Sequence, residues 1–312
     1  MAEMPETAAD DRRCGFIALI GAPNAGKSTL INALVGAKVA IVSHKVQTTR
    51  ALLRGIATAG AAQLVFIDTP GIFAPKRRLD RAMVTNAWAG AQDADVTGVL
   101  IDAKRFNVAH GLDEQGDALL ARLDASRGAK ILLINKVDLV EKSALLALAH
   151  AANERARFDA TFMISALTGD GVADVKDWLA AHVPAGPWHY PEDQITDAPL
   201  RQLAAEITRE KLYLRLHQEL PYQSTVETEQ WKGLKDGSTR IEQTIYVERE
   251  SQRKIVLGKG GATIKAIGAE ARRDIAEMVE APVHLFLFVK VREGWGDDPE
   301  RYREMGLEFP KD

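Results

Sequence analysis

Gly21, Ala22, Pro23, Asn24, Ala25, Gly26, Lys27 and Ser28 have the spacing G-x-x-x-x-G-K-S. That spacing suits a phosphate cradle. Glycines let backbone N–H groups turn inward, a lysine reaches the β- and γ-phosphates, and a hydroxyl ligates magnesium. The run follows the apolar segment Phe16–Ile20 and precedes a helical pattern from Thr29 to Val35, the strand–loop–helix setting this chemistry needs. A helix starting here aims its positive end at the anion, and Thr29 closes the phosphate-contacting set.

Two further strand ends carry polar groups. Gln63–Ile67 runs into Asp68-Thr-Pro-Gly71. An acid at a strand end lies at the carboxyl edge of a sheet, where ligands bind. Asp68 can hold magnesium, directly or through water, and the Gly71 N–H can meet a γ-phosphate whose loss releases the segment that follows. Lys130–Ile134 runs into Asn135-Lys-Val-Asp138. The Asp138 carboxylate can accept two hydrogen bonds from guanine N1–H and the exocyclic amine. Adenine offers no such pair, and an unpaired carboxylate is costly, so the expected nucleotide is GTP rather than ATP. Asn135 can bond the purine edge and tie its loop to the phosphate loop, while the Lys136 stem covers the base. The strand Thr161–Ser165 leads into Ser165, Ala166 and Leu167, where a backbone N–H can reach guanine O6.

Strand and helix patterns alternate from Gly15 to about Val183, with a hairpin around Ala59-Gly60. Such alternation predicts a doubly wound α/β domain with a mostly parallel sheet. The pattern breaks at Pro184, Gly186, Pro187 and Pro191, so residues 184–197 read as a stiff linker on which Trp188 and Tyr190 can pack. Residues 14–183 are the expected nucleotide domain, 1–13 a disordered start, and 198–312 a second domain with a tail.

The second half reads helix (198–220), strand (222–231), strand (239–249), short helix (251–256), glycine loop, helix (262–280), strand (283–291). The loop is Gly258-Lys259-Gly260-Gly261. Glycines let backbone approach phosphate closely, and the next helix points its N-terminus at the anion. Arg253, Lys254, Lys259, Lys265, Arg272 and Arg273 surround it, against Glu270 alone between residues 251 and 273. This order resembles a type II KH domain, whose loop clamps about four nucleotides, and those residues are the expected RNA contacts.

The combined motifs resemble the TRAFAC class of GTPases, and with the KH pattern the Era family of bacterial ribosome-assembly GTPases, from about Gly15 to Trp295. Der has two such GTPase domains and TrmE lacks a KH domain. Several expectations follow from the resemblance alone. Gln47-Thr48-Thr49-Arg50 looks like the switch I segment, with Thr49 favoured over Thr48 to complete a magnesium shell of Ser28, Thr49 and Asp68. Ile72 stands where a Ras-like enzyme has its catalytic glutamine, so intrinsic turnover should be slow. Asn24 would then ligate a potassium ion that offsets transition-state charge. The implied catalytic set is Lys27, Asn24, Thr49 and Gly71. Implied partners are GTP and GDP, the 3′ end of 16S rRNA and the 30S subunit, with peripheral inner-membrane contact. The alternative is a regulatory GTPase whose second domain binds a protein or another RNA.

With 312 residues the chain can bury two cores. Its net charge of −3 gives no bulk nucleic-acid signal, so any such signal is local. The single cysteine, Cys14, forms no intrachain disulfide and fits a reducing cytoplasm. No apolar run has the length of a membrane span, and the first residues lack the apolar core of a signal peptide. His44 and His110 read as solvated, and the absence of heptads predicts a monomer. The acidic-aromatic tail from Trp295 to Asp312 has no functional reading.

Overall fold

The computed structural model describes residues 11–43, 53–72, 75, 78–123, 128–216, 220–294, 299, 302, 307 and 309. Thr48 and Thr49 lie outside them, as do His44 and Trp295. Contacts divide the chain into two compact units that meet in sequence at Asp197 and Ala198.

In the first unit, β1 (Arg13–Gly21), β2 (Leu53–Ala59), β3 (Ala62–Asp68), β4 (Val96–Asp102), β5 (Ala129–Asn135) and β6 (Ala160–Ile164) form one sheet, ordered β2-β3-β1-β4-β5-β6. β2 is antiparallel to β3; the other neighbours are parallel. Gly60, with φ 57°, helps turn this hairpin within two residues. The helices are α1 (Lys27–Val35), α2 (Arg78–Asp93), α3 (Glu114–Ala121), α4 (Lys142–Arg155) and α5 (Val172–His182). Side chains alternate across a strand, so Ile17 and Leu19 join one core with Leu30, Leu34, Val175 and Leu179. Ala18 and Ile20 join the opposite core with Leu119, Leu145 and Leu148. Both faces are covered, which is why these strands read as near-continuous apolar runs.

The linker is laid along this unit. Gln63, fully buried inside β3, accepts hydrogen bonds from the His189 N–H (2.9 Å) and the Tyr190 N–H (3.0 Å) and donates to the Tyr190 carbonyl (2.8 Å). Trp188 Nε1 donates to the Ala61 carbonyl, the Ile56 N–H donates to the Ile195 carbonyl, and Arg54 pairs with Asp197 at 2.9 Å. Prolines leave few N–H groups, and the edge of the β2–β3 hairpin supplies partners for what remains.

The second unit contains α6 (Leu200–Arg215), β7 (Ser224–Gly233), β8 (Thr239–Val247), α7 (Glu250–Leu257), α8 (Ala262–Val279) and β9 (Val283–Val291). Its sheet is ordered β7-β8-β9, with β8 antiparallel to β7 and parallel to β9. Leu212, Ile245, Val256, Ile267 and Val289 meet in its core. α6 buries charge as well: Arg209 pairs with Glu206, and Lys211 with Glu210 and Asp274.

Several expected boundaries move. Arg12 and Arg13 do not belong to the disordered start predicted for residues 1–13, of which residues 1–10 lie outside the described residues. Arg13 opens β1 and donates through Nη1 to the Val183 carbonyl (2.7 Å), and the Arg12 carbonyl accepts from Gly186 (2.9 Å). The helix predicted to Leu220 stops at Arg215, where Leu216 turns to extended backbone (φ −91°, ψ 153°), and Leu220 begins a separate 3-10 turn. Ile41, Val42 and Ser43 group with the second unit rather than the nucleotide domain, and Leu307 and Phe309 group with the first rather than with the KH-like unit.

Candidate functional site

The carboxyl edge of the first sheet gathers the polar strand ends. β1 and β3 place Leu19 beside Asp68, and β4 and β5 place Asp102 beside Asn135. Between them, residues 21–28 turn from β1 into α1. Asn24 (φ 63°) and Gly26 (φ 105°) both take left-handed backbone. A Cβ on Gly26 would lie 2.2 Å from Asn135 Nδ2, so both its backbone conformation and the close approach require glycine. α1 has no side-chain cap at its N-terminus. Its first N–H groups and partial positive charge are therefore available to an anion.

Lys27 is buried and donates to the Gly21 (3.0 Å) and Ala22 (3.1 Å) carbonyls. Burial pushes its pKa down and the Asp68 charge pulls it partway back, leaving it at about 8. A desolvated ammonium bonded to carbonyls alone is suited to receive phosphate oxygens. Ser28 Oγ donates to Asp68 Oδ2 at 3.1 Å, and Asp68 is 1% exposed. A hydroxyl and a carboxylate held this close form part of a hard oxygen set that fits magnesium. Thr69 Oγ1 donates to the Leu19 carbonyl at 2.5 Å, fixing the exit from β3. Gly71 abuts Pro23, and the Ile72 N–H donates to the Gly21 carbonyl (3.0 Å). The Ile72 side chain packs on the apolar core and offers no acceptor to water.

Asn135 ties three segments together. Its Nδ2 donates to the Ala25 carbonyl (2.8 Å), and its Oδ1 accepts from the Ala166 N–H (2.9 Å). The Ala166 N–H is thereby engaged, and Ser165 Oγ accepts from Thr168 (3.2 Å). Leu167 is exposed beside them. Lys136, in left-handed backbone at φ 66°, donates to the Asn24 carbonyl (2.8 Å) and Asp102 Oδ2 (2.6 Å). Asp138 is exposed, so its carboxylate is desolvated only by a group that binds over it.

In the second unit, Gly258, Gly260 and Gly261 all have positive φ. A Cβ on Gly258 would meet Thr263 Oγ1 at 2.2 Å, whereas Gly260 and Gly261 have no atoms within 4 Å of theirs. The loop is thus packed on its own helix at one end and open at the other. Lys254, Lys259 and Lys265 are exposed near it. Arg253 is engaged: Nε donates to the Val289 carbonyl (3.2 Å) and Nη1 pairs with Glu250 (2.9 Å). Arg272 and Arg273 are exposed, but ten residues along α8 they lie about 15 Å from its start and form no part of the loop itself.

Two contributors escape the sequence motifs. Asp102 ends an apolar strand as Asp68 does, and that signal was present. Gln63 sits inside a strand with no outward sign of its role.

Residues 16–136 match the family described as 50S ribosome-binding GTPase, and residues 219–296 match the KH domain family. The chain is similar to GTPase Era of Afipia carboxidovorans, 69% identical over 309 residues that cover 99% of each chain. It is 67% identical to GTPase Era of Brucella suis over 305 residues, 98% of this chain and 96% of that one. Among solved structures it resembles Era in complex with MgGDPNP and nucleotides 1506–1542 of 16S ribosomal RNA, at 34% identity and TM-score 0.88 over 95% of this chain and 99% of that one. It also resembles an Aquifex aeolicus Era variant bound to GDP and aluminium fluoride, at 34% identity and TM-score 0.87 over 94% and 99%.

Proposed function

The chain belongs to the GTPase Era family, and we propose that it is a GTP-hydrolysing switch that binds the 3′ end of small-subunit rRNA and assists 30S maturation. The single observation that carries the reading is the pairing, in one chain, of an uncapped helix start beside a desolvated Lys27 with an open glycine loop flanked by lysines. The relative whose structure holds MgGDPNP together with 16S nucleotides 1506–1542 supports assigning the two sites to nucleotide and RNA.

On binding GTP, Lys27 exchanges the Gly21 and Ala22 carbonyls for β- and γ-phosphate oxygens, and α1 directs its N–H groups at the same charge. Ser28, Asp68 and Thr49 would hold magnesium, which supplies positive charge to the phosphates. Asn135, Lys136 and Asp138 seat the guanine, and a backbone N–H among Ser165, Ala166 and Leu167 meets O6. The Gly71 N–H turns to the γ-phosphate, and the segment after it is released when that phosphate leaves. Because Ile72 cannot orient water, turnover is slow, and Asn24 would hold a potassium ion that compensates transition-state charge. In the second unit the glycine loop, with Lys254, Lys259 and Lys265, clamps the RNA backbone; Arg253, Arg272 and Arg273 extend the basic surface. If GTP favours the RNA-binding state, RNA favours GTP to the same degree. We place the protein in the cytoplasm as a monomer, with weak peripheral contact to the inner membrane.

Fluorescence anisotropy of a labelled 16S 3′-end fragment, titrated in potassium and magnesium with GDP or a non-hydrolysable GTP analogue, tests this reading. Binding tighter than to a scrambled RNA at equal salt, strengthened by the analogue and lost when Lys259 and Gly260 are both changed to Asp, is expected. Equal binding of both RNAs would favour the alternative, a GTPase whose second unit takes a protein or another RNA.

A further inference from the structure

β9 is an edge strand whose residues alternate sharply. Leu285, Leu287 and Val289 face the helices. Phe286 and Phe288 face the other way and are 41% and 48% exposed. Two residues apart on one strand, these rings lie about 7 Å from each other. Cations frame them. The Arg240 guanidinium lies 4.4 Å from the Phe286 ring centroid and is held there by Glu242 (2.7 Å). The Arg292 guanidinium lies 5.8 Å from the Tyr246 ring, whose hydroxyl donates to Glu229 (2.9 Å). Lys290 is exposed on the same face of β9. Glu242 and Glu229 are thus each engaged with a neighbour.

We propose that this outer sheet face is a second single-stranded RNA platform, on which Phe286 and Phe288 each stack a base and Arg240, Lys290 and Arg292 meet phosphates. It rests on the RNA reading of the glycine loop. Exposed aromatic rings interleaved with cations are the chemistry that binds single strands without reading their sequence. The platform is also continuous with the loop. Arg253, on the helix that leads into the loop, bonds the Val289 carbonyl of β9, which ties that helix to the strand carrying Phe288. A KH loop clamps about four nucleotides, and a longer RNA has somewhere to continue.

The test uses the full chain and two labelled RNAs from the 16S 3′ end: one of about four nucleotides, and one extended by about ten on either side. Phe286→Ala with Phe288→Ala should leave the short RNA's affinity and the melting temperature unchanged while weakening the extended RNA by about thirtyfold or more. Phe288→Trp should retain the extended-RNA affinity. A double variant that binds the extended RNA as tightly as wild type overturns the platform, as does an equal loss for both RNAs. Wild-type protein that binds neither RNA overturns the glycine-loop reading along with it.

Discussion

Lys136 donates to Asp102 at 2.6 Å and to the Asn24 carbonyl at 2.8 Å, so one ammonium joins the base-reading loop, the end of β4 and the phosphate loop. Asp102 is 8% exposed and also accepts from the Lys104 N–H (3.0 Å), which fixes its carboxylate. The left-handed residues Lys136 and Asn24 are thus linked through one side chain anchored on a third strand.

Asp102→Asn keeps the size of the anchor and removes its charge. Hydrogen bonds to charged groups contribute about 1.5–3 kcal/mol, and the amide oxygen recovers part of that. The expected result is about tenfold weaker binding of both GTP and GDP, roughly 1.4 kcal/mol, because the bond supports the base side of the site that both nucleotides share. Titration with fluorescent nucleotide analogues measures it. A loss confined to GTP would mean that Asp102 acts on the γ-phosphate instead.

Lys27 makes the nucleotide-free protein pH-sensitive. Its folded-state pKa of about 8 lies below the ordinary 10.5. Below pH 8 the ammonium is charged in both states and its burial is a cost. As pH rises from 8 toward 10.5 the folded state loses the proton first, and stability rises by about 3 kcal/mol from this group. Lys27→Met should remove that rise in denaturant melts recorded across the window. Saturating GDP should also flatten it, because phosphates hold the ammonium charged.

The motif positions were legible because they terminate buried strands. β3 ends at Asp68 and β5 at Asn135, where apolar runs meet a polar residue. β9 occupies the predicted Val283–Val291 without change. The links between motifs were less visible. Lys136 finds Asp102 34 residues back, through a β4–β5 register that no local pattern encodes. Gln63 resembles an ordinary polar position of a half-exposed strand, and its partners lie 126 and 127 residues away. The end of α6 was also hidden, because Leu216 already has extended backbone while the apolar periodicity runs on to Leu220 and overstates the helix.

Gln63→Ala should free the linker. The change leaves the His189 and Tyr190 N–H groups and the Tyr190 carbonyl without their partner in a half-buried setting, where water can replace part of what is lost; the cost is about 1–3 kcal/mol only for a group that water does not reach. Hydrogen exchange should accelerate across residues 188–197 while α1 and β5 keep wild-type protection. Uniform acceleration throughout the first unit would instead make Gln63 a determinant of global stability.

Ile72 and Asn24 divide the catalytic question between them. Ile72 packs against the core and offers no acceptor to water; in the proposed mechanism charge compensation then comes from elsewhere, and Asn24 is the exposed phosphate-loop side chain offered for it. Alanine at Asn24 would also strain a backbone with φ 63°, confusing the outcome. Asn24→Gly removes the side chain while tolerating that conformation. Single-turnover GTP hydrolysis in matched potassium and sodium salts should show wild type faster in potassium and the glycine variant equal in both, with GDP affinity within about twofold of wild type, roughly 0.4 kcal/mol. A potassium preference that survives in Asn24→Gly would remove the cation from this residue and leave the source of charge compensation outside the phosphate loop.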